Sequence, residues 1–338
     1  MLILGIETSC DDTAVAIIDE KYDIKANVIS SQIKIHNQYG GVVPELASRE
    51  HVKNIVPVFN ECLKEAGIKI NDIDAITVTK GPGLVISLLV GLNFAKGLSL
   101  NLNKPLITTN HLYAHLNAVM IEYKSIPLPY LGLVASGGHT NLFYSEDNIH
   151  FKIIAKTRDD AIGEAYDKIA KLLNLGYPGG PIIDKLAQEG NPSFINLPKI
   201  KMSDNSLDFS FSGLKTAFYY FLKKEQLLPF PSNNKSLLHD LAACFQQAAI
   251  SIIIDRLSKA IVTFKPKSAV ISGGVACNSL LRSEASKLAS QFSLPFLIPK
   301  PLLCTDNAGM TAVIGCHKFA LNLFDDLATD AEPIYYDY

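Results

Sequence analysis

The first hundred residues alternate between apolar runs of strand length and a longer stretch with helical spacing. Leu2 to Glu7 and Ala14 to Ile18 are β-branched and apolar, and the polar run Thr8-Ser9-Cys10-Asp11-Asp12-Thr13 joins them as a turn. Leu46, Val52, Ile55, Phe59 and Leu63 recur at helical spacing; Pro57, inside that pattern, predicts a kink or a split. Ala75 to Thr79 reads as a third strand, which passes through Lys80-Gly81-Pro82-Gly83 into an apolar helix ending near Leu100.

The design then recurs. Leu131 to Ala135 and Asn141 to Tyr144 are two short strands joined by Ser136-Gly137-Gly138-His139-Thr140. Lys267 to Ile271 is another buried strand, followed by Ser272-Gly273-Gly274-Val275-Ala276-Cys277-Asn278 and a helix. A strand–turn–strand unit that returns after about 130 residues predicts a duplicated α/β fold of two lobes with a cleft between them. No low-complexity linker separates the copies, so a tight junction is expected.

Composition narrows the class. A chain of 338 residues has room for two domains at roughly 150 residues each, and 48% apolar against 19% charged residues excludes a disordered chain. The net charge of −2 is no electrostatic footprint for nucleic acid, so any such contact needs a local basic patch or a partner. Six scattered cysteines without a CxxC pair predict reduced thiols and a cytoplasmic chain. The apolar start lacks a basic leader, and residues 81–100, broken by Asn93 and Lys96, are expected to fall short of a membrane-spanning helix.

Several strings carry candidate chemistry. Glycine turns such as Ser136-Gly137-Gly138 and Ser272-Gly273-Gly274 allow close backbone approach to phosphate or a base, although one such pair alone is usually just a tight turn. Neither is a Walker loop or a GxGxxG fingerprint. His111 and His115, at i and i+4, share a helical face and can bite one metal ion; the spacing also arises by chance. Leu112 follows His111 where a zinc protease would carry its general-base Glu, which disfavours that chemistry. Asp306 offers a third ligand, yet at a loop–helix junction its spacing fits a helix cap better. The acidic run Asp159 to Lys168 reads as a helix start, and Asp167 and Asp184 flank the turn Tyr177-Pro178-Gly179-Gly180, where carboxylates suit ribose hydroxyls. Asp208 to Thr216 reads as a strand edge entering a turn.

Taken in order, these strings resemble the TsaD (Gcp) family of the actin/Hsp70/sugar-kinase (ASKHA) superfamily. The matches are Gly5 to Thr13, Gly41 to Arg49, Gly81-Pro82-Gly83, His111 to His115, Ser136 to Thr140, Asp159 to Lys168, Tyr177 to Gly180, Phe209 to Thr216, Gly273 to Asn278 and Cys304 to Asn307. The resemblance implies a two-lobed α/β ASKHA fold, with residues 1–108 and 109–317 as the lobes and a C-terminal helix at about 318–338 packing back on the first. It implies transfer of threonylcarbamoyl from threonylcarbamoyl-AMP to N6 of adenosine 37, in tRNAs reading codons that begin with A, with release of AMP. His111, His115 and Asp306 match the metal ligands, for one divalent ion, iron(II) ahead of zinc. Val134, Ala135, Ser136, Gly137 and Gly138 match the loop around the phosphate and acyl end. Asp167, Gly180 and Asp184 match the ribose contacts, Asn278 the adenine contact, and Asp11 stands as the catalytic candidate. The implied partners are tRNA, a TsaB-like scaffold homologue and a TsaE-like ATPase. An ASKHA-type small-molecule kinase and a non-catalytic scaffold homologue are the alternatives; neither needs His111, His115 and Asp306 together.

Overall fold

The computed structural model describes residues 1–198, 202, 204–231 and 234–334. In chain order, β1 (Leu2–Glu7), β2 (Asp12–Asp19) and β3 (Ile24–Ser31) precede α1 (Ile33–Asn37) and α2 (Pro44–Ala66). Then come β4 (Ala75–Gly81), α3 (Val85–Leu102), β5 (Leu106–Asn110), α4 (His111–Asn117) and α5 (Met120–Tyr123). The second series holds β6 (Tyr130–Ala135), β7 (Thr140–Ser145), β8 (Lys152–Lys156), α6 (Ile162–Leu172), α7 (Gly179–Ala187), α8 (Ser212–Lys224) and α9 (Lys235–Phe264). It continues through β9 (Ser268–Ser272), α10 (Ser279–Phe292), β10 (Phe296–Leu297) and α11 (Pro301–Cys304) to α12 (Ala308–Ala320).

The two sheets repeat one topology. The first has the order β3-β2-β1-β4-β5 and the second β10-β9-β6-β7-β8. In each, a meander of three antiparallel strands adds two parallel ones: β1 pairs antiparallel with β2 and parallel with β4, as β6 does with β7 and β9. The duplication expected from the strand–turn–strand repeat is therefore present.

Contacts divide the chain into a first unit, Met1–Ile126, Asp147–Phe151 and Leu302–Tyr338, and a second, Pro127–Glu146 and Lys152–Pro301. This differs from the boundaries 1–108 and 109–317. α4 and α5 stay with the first unit, and α12 packs on β1, β2, β4 and α4, so the chain returns to the first sheet well before residue 318. The expected C-terminal helix ends at Ala320, Leu321–Ile334 is not helical, and residues 335–338 of that expectation lie outside the described ones. α2 continues through Pro57 without a split.

Strand alternation decides which face meets which helix. Leu4, Ile6, Val15 and Ile17 pack with Ile55, Val58 and Phe59 of α2 and Leu92 of α3 in the main core of the first unit. The opposite face of the same strands carries small residues, Gly5, Ala14 and Ala16, and receives α12. A Cβ on Gly5 would overlap the Ala308 carbonyl, and one on Gly315 would overlap Thr77. Close approach of α12 therefore depends on these glycines. The same alternation turns Glu7 to the side where α4 and α12 lie.

α3 and α9 are each long and apolar enough to cross a membrane by length and composition, which corrects the expectation for residues 81–100. Both pack within their units, α3 on β4 and α2, and α9 on α7, α8 and α10. Among the described residues no two cysteines form a disulfide.

Candidate functional site

In the first unit, β5 ends at Asn110, whose side chain accepts from Leu112 N (2.8 Å) and Tyr113 N (3.4 Å) and so starts α4. The helix that follows sets His111 and His115 on one face, one turn apart, with ring centroids 4.6 Å from each other. α12 is capped not by Asp306 but by Asn307, whose Oδ1 accepts from Met310 N at 3.1 Å. The capping duty that spacing suggested for Asp306 thus belongs to its neighbour. The Asp306 carboxylate turns to the histidines: Oδ1 lies 3.0 Å from His115 Nε2 and 3.7 Å from His111 Nε2.

One ligating atom from each of the three lies within 4.8 Å of the others. His115 is fully buried, His111 nearly so, and the Asp306 side chain keeps 22% of its surface. Two imidazole nitrogens and a carboxylate oxygen converging with one open side suit a divalent ion with room for an exogenous ligand. All three belong to the first unit.

The electrostatics fit a cation. Burial works against protonation of His111, but the carboxylates of Asp306 and Glu7 outweigh it and raise the imidazole to about 9. Burial likewise opposes ionisation of Glu7, yet the charge and hydrogen bond of His111 hold it below the usual carboxylate value. Asp11 and Asp12 sit at the end of the β1–β2 turn. Burial first, with Asp306 adding like charge, raises Asp11 and pushes Asp12 to about 7. Asp12 Oδ1 is buried without a hydrogen-bond partner. Acids crowded around a histidine pair create a field that a bound cation would relieve.

The second unit collects the other predicted residues. Val134 and Ala135 are fully buried strand residues paired with Asn141 and Thr140, so their side chains are closed to a ligand. The accessible part of that stretch is the turn itself. Ser136 N donates to His139 O, His139 N donates to Ser136 Oγ, and Gly137 and Gly138 are exposed. Gly163 at the start of α6 supports it: its N donates to Ser136 O at 3.1 Å, and a Cβ there would lie 2.6 Å from that oxygen and 2.8 Å from Gly137 N. In the matching turn after β9, Gly273 has φ +89° and a Cβ would overlap the Ala135 carbonyl; this glycine is required by its backbone.

Asp167 Oδ1 accepts from Gly179 N at 2.7 Å, and burial raises its carboxyl to about 6. Gly180 has open space around it. Asp184 accepts at Oδ1 from Ser279 Oγ (2.7 Å) and Gln246 Nε2 (3.0 Å), and its Oδ2 lies 3.1 Å from Ser279 N. Asn278 caps α10 by accepting from Leu281 N (3.0 Å) while its Nδ2 donates to Gln246 Oε1 (2.8 Å) and meets Tyr166 OH (3.4 Å). One network thus joins Asp184, Gln246, Asn278 and Tyr166. Beside it opens a cavity of about 310 Å³ lined by residues that include Gln188, Gln246, Ser279 and Ser283.

Sequence reasoning missed Glu7, Gln246, Ser279 and Gly163. A signal existed for two of them: Glu7 is a lone acid closing an apolar strand, and Gln246 is a buried polar residue amid the alanines and isoleucines of α9. The acidic run also behaves differently from expectation. α6 starts only at Ile162, and Asp159 instead accepts from Phe211 N and Ser212 N at the start of α8.

The family model described as TsaD, tRNA N6-adenosine threonylcarbamoyltransferase, matches residues 23–313. The protein of that name from Moorella thermoacetica is 46% identical over 331 residues, covering 98% of this chain and 96% of its own. The one from Kosmotoga olearia is 45% identical over 333 residues, covering 98% of each. Among solved structures, full-length HypF in its phosphate- and nucleotide-bound form superposes with a TM-score of 0.63 at 15% identity, covering 96% of this chain and 56% of HypF. Component A of the Acidaminococcus fermentans (R)-2-hydroxyglutaryl-CoA dehydratase gives 0.55 at 15% identity over 95% of this chain and 99% of its own. At such identity these two show the fold alone, and it is the two-lobed ASKHA fold.

Proposed function

The chain belongs to the TsaD family, the tRNA N6-adenosine threonylcarbamoyltransferases, and we propose that it moves threonylcarbamoyl from threonylcarbamoyl-AMP to N6 of adenosine 37 in tRNAs that read codons beginning with A. The observation that carries this reading furthest is the convergence of His111, His115 and Asp306, which neither a small-molecule kinase nor a scaffold of the same fold requires.

The reaction is acyl transfer from a mixed anhydride. The adenosine amine attacks the carbamoyl carbon, the bond to the phosphate oxygen breaks, and AMP leaves with that electron pair. A divalent ion held by His111, His115 and Asp306, iron(II) ahead of zinc, supplies a Lewis acid for the acyl group when bound. The chain's own residues do the remaining work. Gly137 and Gly138 offer main-chain amides to the phosphate, where charge builds as AMP departs. Asp167 and Asp184 take the ribose hydroxyls, Gly180 leaves space for the sugar, and Asn278 orients the base beside the cavity of about 310 Å³. Asp11, whose carboxyl burial raises, is our candidate to accept the proton the amine loses. An exocyclic base amine is a weak nucleophile, so positioning carries much of the rate.

The net charge of −2 favours a chain that works with partners, a TsaB-like scaffold and a TsaE-like ATPase. The scaffold surface is assigned to α2, where Val52 and Val56 are exposed. The test is AMP release together with mass-spectrometric detection of threonylcarbamoyl-adenosine on unmodified tRNA, with the chain alone and with both partners. A mixture that modifies no tRNA overturns the reading; turnover by the chain alone equal to the mixture overturns the need for partners.

A further inference from the structure

Glu7 is a fully buried acid that none of the chemical steps above uses. A buried carboxylate is costly unless its oxygens are filled, and here they are filled asymmetrically. Oε1 accepts from Ser9 N at 2.7 Å. Oε2 accepts from Thr79 Oγ1 at 2.6 Å, receives a long contact from Thr311 Oγ1 at 3.4 Å, and lies 3.3 Å from His111 Nδ1. An ionised carboxylate cannot donate, so the proton of that last contact sits on His111 Nδ1. In the neutral ring that a cation can bind, the other nitrogen, Nε2, then carries the lone pair, and Nε2 is the atom facing Asp306. Ser9 Oγ, 3.1 Å from the same Nδ1, can share the donated proton.

We infer that Glu7 is a positioning residue which fixes the ring orientation and tautomer of His111 so that Nε2 is available to a divalent cation. The inference rests on the reading of His111, His115 and Asp306 as a metal site. Its physical basis is general: a metal-bound imidazole that donates its second N–H to a carboxylate is held in register and made a better ligand. The four elements involved make the arrangement rigid. Glu7 ends β1, Thr79 lies on β4, Thr311 on α12 and His111 opens α4, so the carboxylate is clamped from strand, helix and turn together.

The asymmetry makes Glu7→Gln a sharp probe. Ser9 N–H demands an acceptor, so the amide oxygen must take the Oε1 place and the NH₂ group the Oε2 place. The amide then donates to His111 Nδ1, the ring proton moves to Nε2, and the ligating lone pair is lost although size and packing are kept. The experiment titrates Zn²⁺ alone against a competing chelator, on the full chain and on E7Q, with thermal melts of both. We expect E7Q to bind Zn²⁺ about 10–100-fold more weakly while AMP binding is unchanged. In ¹⁵N-histidine spectra, zinc-loaded wild type should carry its His111 proton on Nδ1. A folded E7Q that binds Zn²⁺ within twofold of wild type, or a wild-type proton on Nε2, overturns this inference and leaves the metal site standing. A wild-type chain that takes up no metal at all overturns both together. If E7Q does not fold, the wild-type spectrum alone decides.

Discussion

The histidine–aspartate set of the first unit and the polar network of the second are both built from residues far apart in the chain, yet they satisfy their polar atoms in opposite ways. Asp184 and Asn278 spend most of their capacity on the protein itself, through Ser279, Gln246 and the first turn of α10. The three donors of the first unit point at one another and leave acids crowded around a histidine whose affinity for a proton is raised to about 9. A closed network stabilises and shapes. A converging, charge-strained set instead turns its own polar atoms toward one point, where a cation would relieve the crowding.

The largest effect should come from breaking the converging set. Asp306→Ala or His115→Ala removes one of three donors, and we expect metal content to fall to background and transfer to drop by about 100-fold or more. Because Asn307 caps α12, Asp306→Ala should leave the melting temperature near that of wild type. Elemental analysis, a melt and a transfer assay check this; full activity in a metal-free variant would end the catalytic-metal reading.

Next is the closed network. Asp184→Ala strips Gln246 Nε2 and Ser279 Oγ of their acceptor, which should cost about 1–3 kcal/mol of stability. If the carboxylate also holds ribose, AMP affinity measured by calorimetry below the melting transition falls by about 10–100-fold. Lost stability with unchanged AMP affinity would reduce Asp184 to a support for α10.

How far the sequence reached follows the same divide. The six strands read from it, β1, β2, β4, β6, β7 and β9, are apolar runs bounded by turn residues, and they form the centres of both sheets. β3, β5, β8 and β10 escaped because edge strands carry polar residues, as in Leu106–Asn110, or are as short as Phe296–Leu297. The lobe boundary was misplaced because α12 returns to the first sheet from a distance of some two hundred residues, and no local pattern announces such a contact. His111 and His115 were visible in their spacing, whereas Glu7 looked like the end of a strand and Gln246 lies in α9, a helix the sequence reading did not single out. Their roles lie in partners that only the tertiary fold supplies.

Asp167 gives a pH test of the closed side. Its folded carboxyl is raised to about 6 by burial, so the native state favours the neutral acid. The contribution to stability is full below the unfolded value near 4 and is lost as pH rises through about 6. Asp167→Asn keeps an acceptor for Gly179 N–H and removes the cost of ionisation. The variant should match wild type near pH 4 and exceed it by about 1–2 kcal/mol above pH 6, read from denaturant melts across that range. A difference that grows toward acid would reverse the sign and show that the ionised form is the one the fold prefers.

The smallest effect on the fold, and the finest separation of binding from building, is expected at the turn after β6. Gly137 is exposed, and a Cβ built on it meets nothing within 4 Å. It also lies outside the positive-φ region, so alanine fits without strain and should change stability by no more than about 0.5 kcal/mol. Gly163, one layer beneath, has no such room, since a Cβ there would press on Ser136 O and Gly137 N. Gly163→Ala should therefore displace the turn and lower both the melting temperature and AMP affinity. If main-chain amides at Gly137 and Gly138 hold phosphate, the methyl of Gly137→Ala stands where the ligand must approach, and AMP affinity falls several-fold in a chain that melts as wild type does. Adenosine, which lacks the phosphate, should bind both forms alike. Equal loss for AMP and adenosine would move the phosphate contact away from this turn, and no loss for either would leave Gly137 as a plain turn residue.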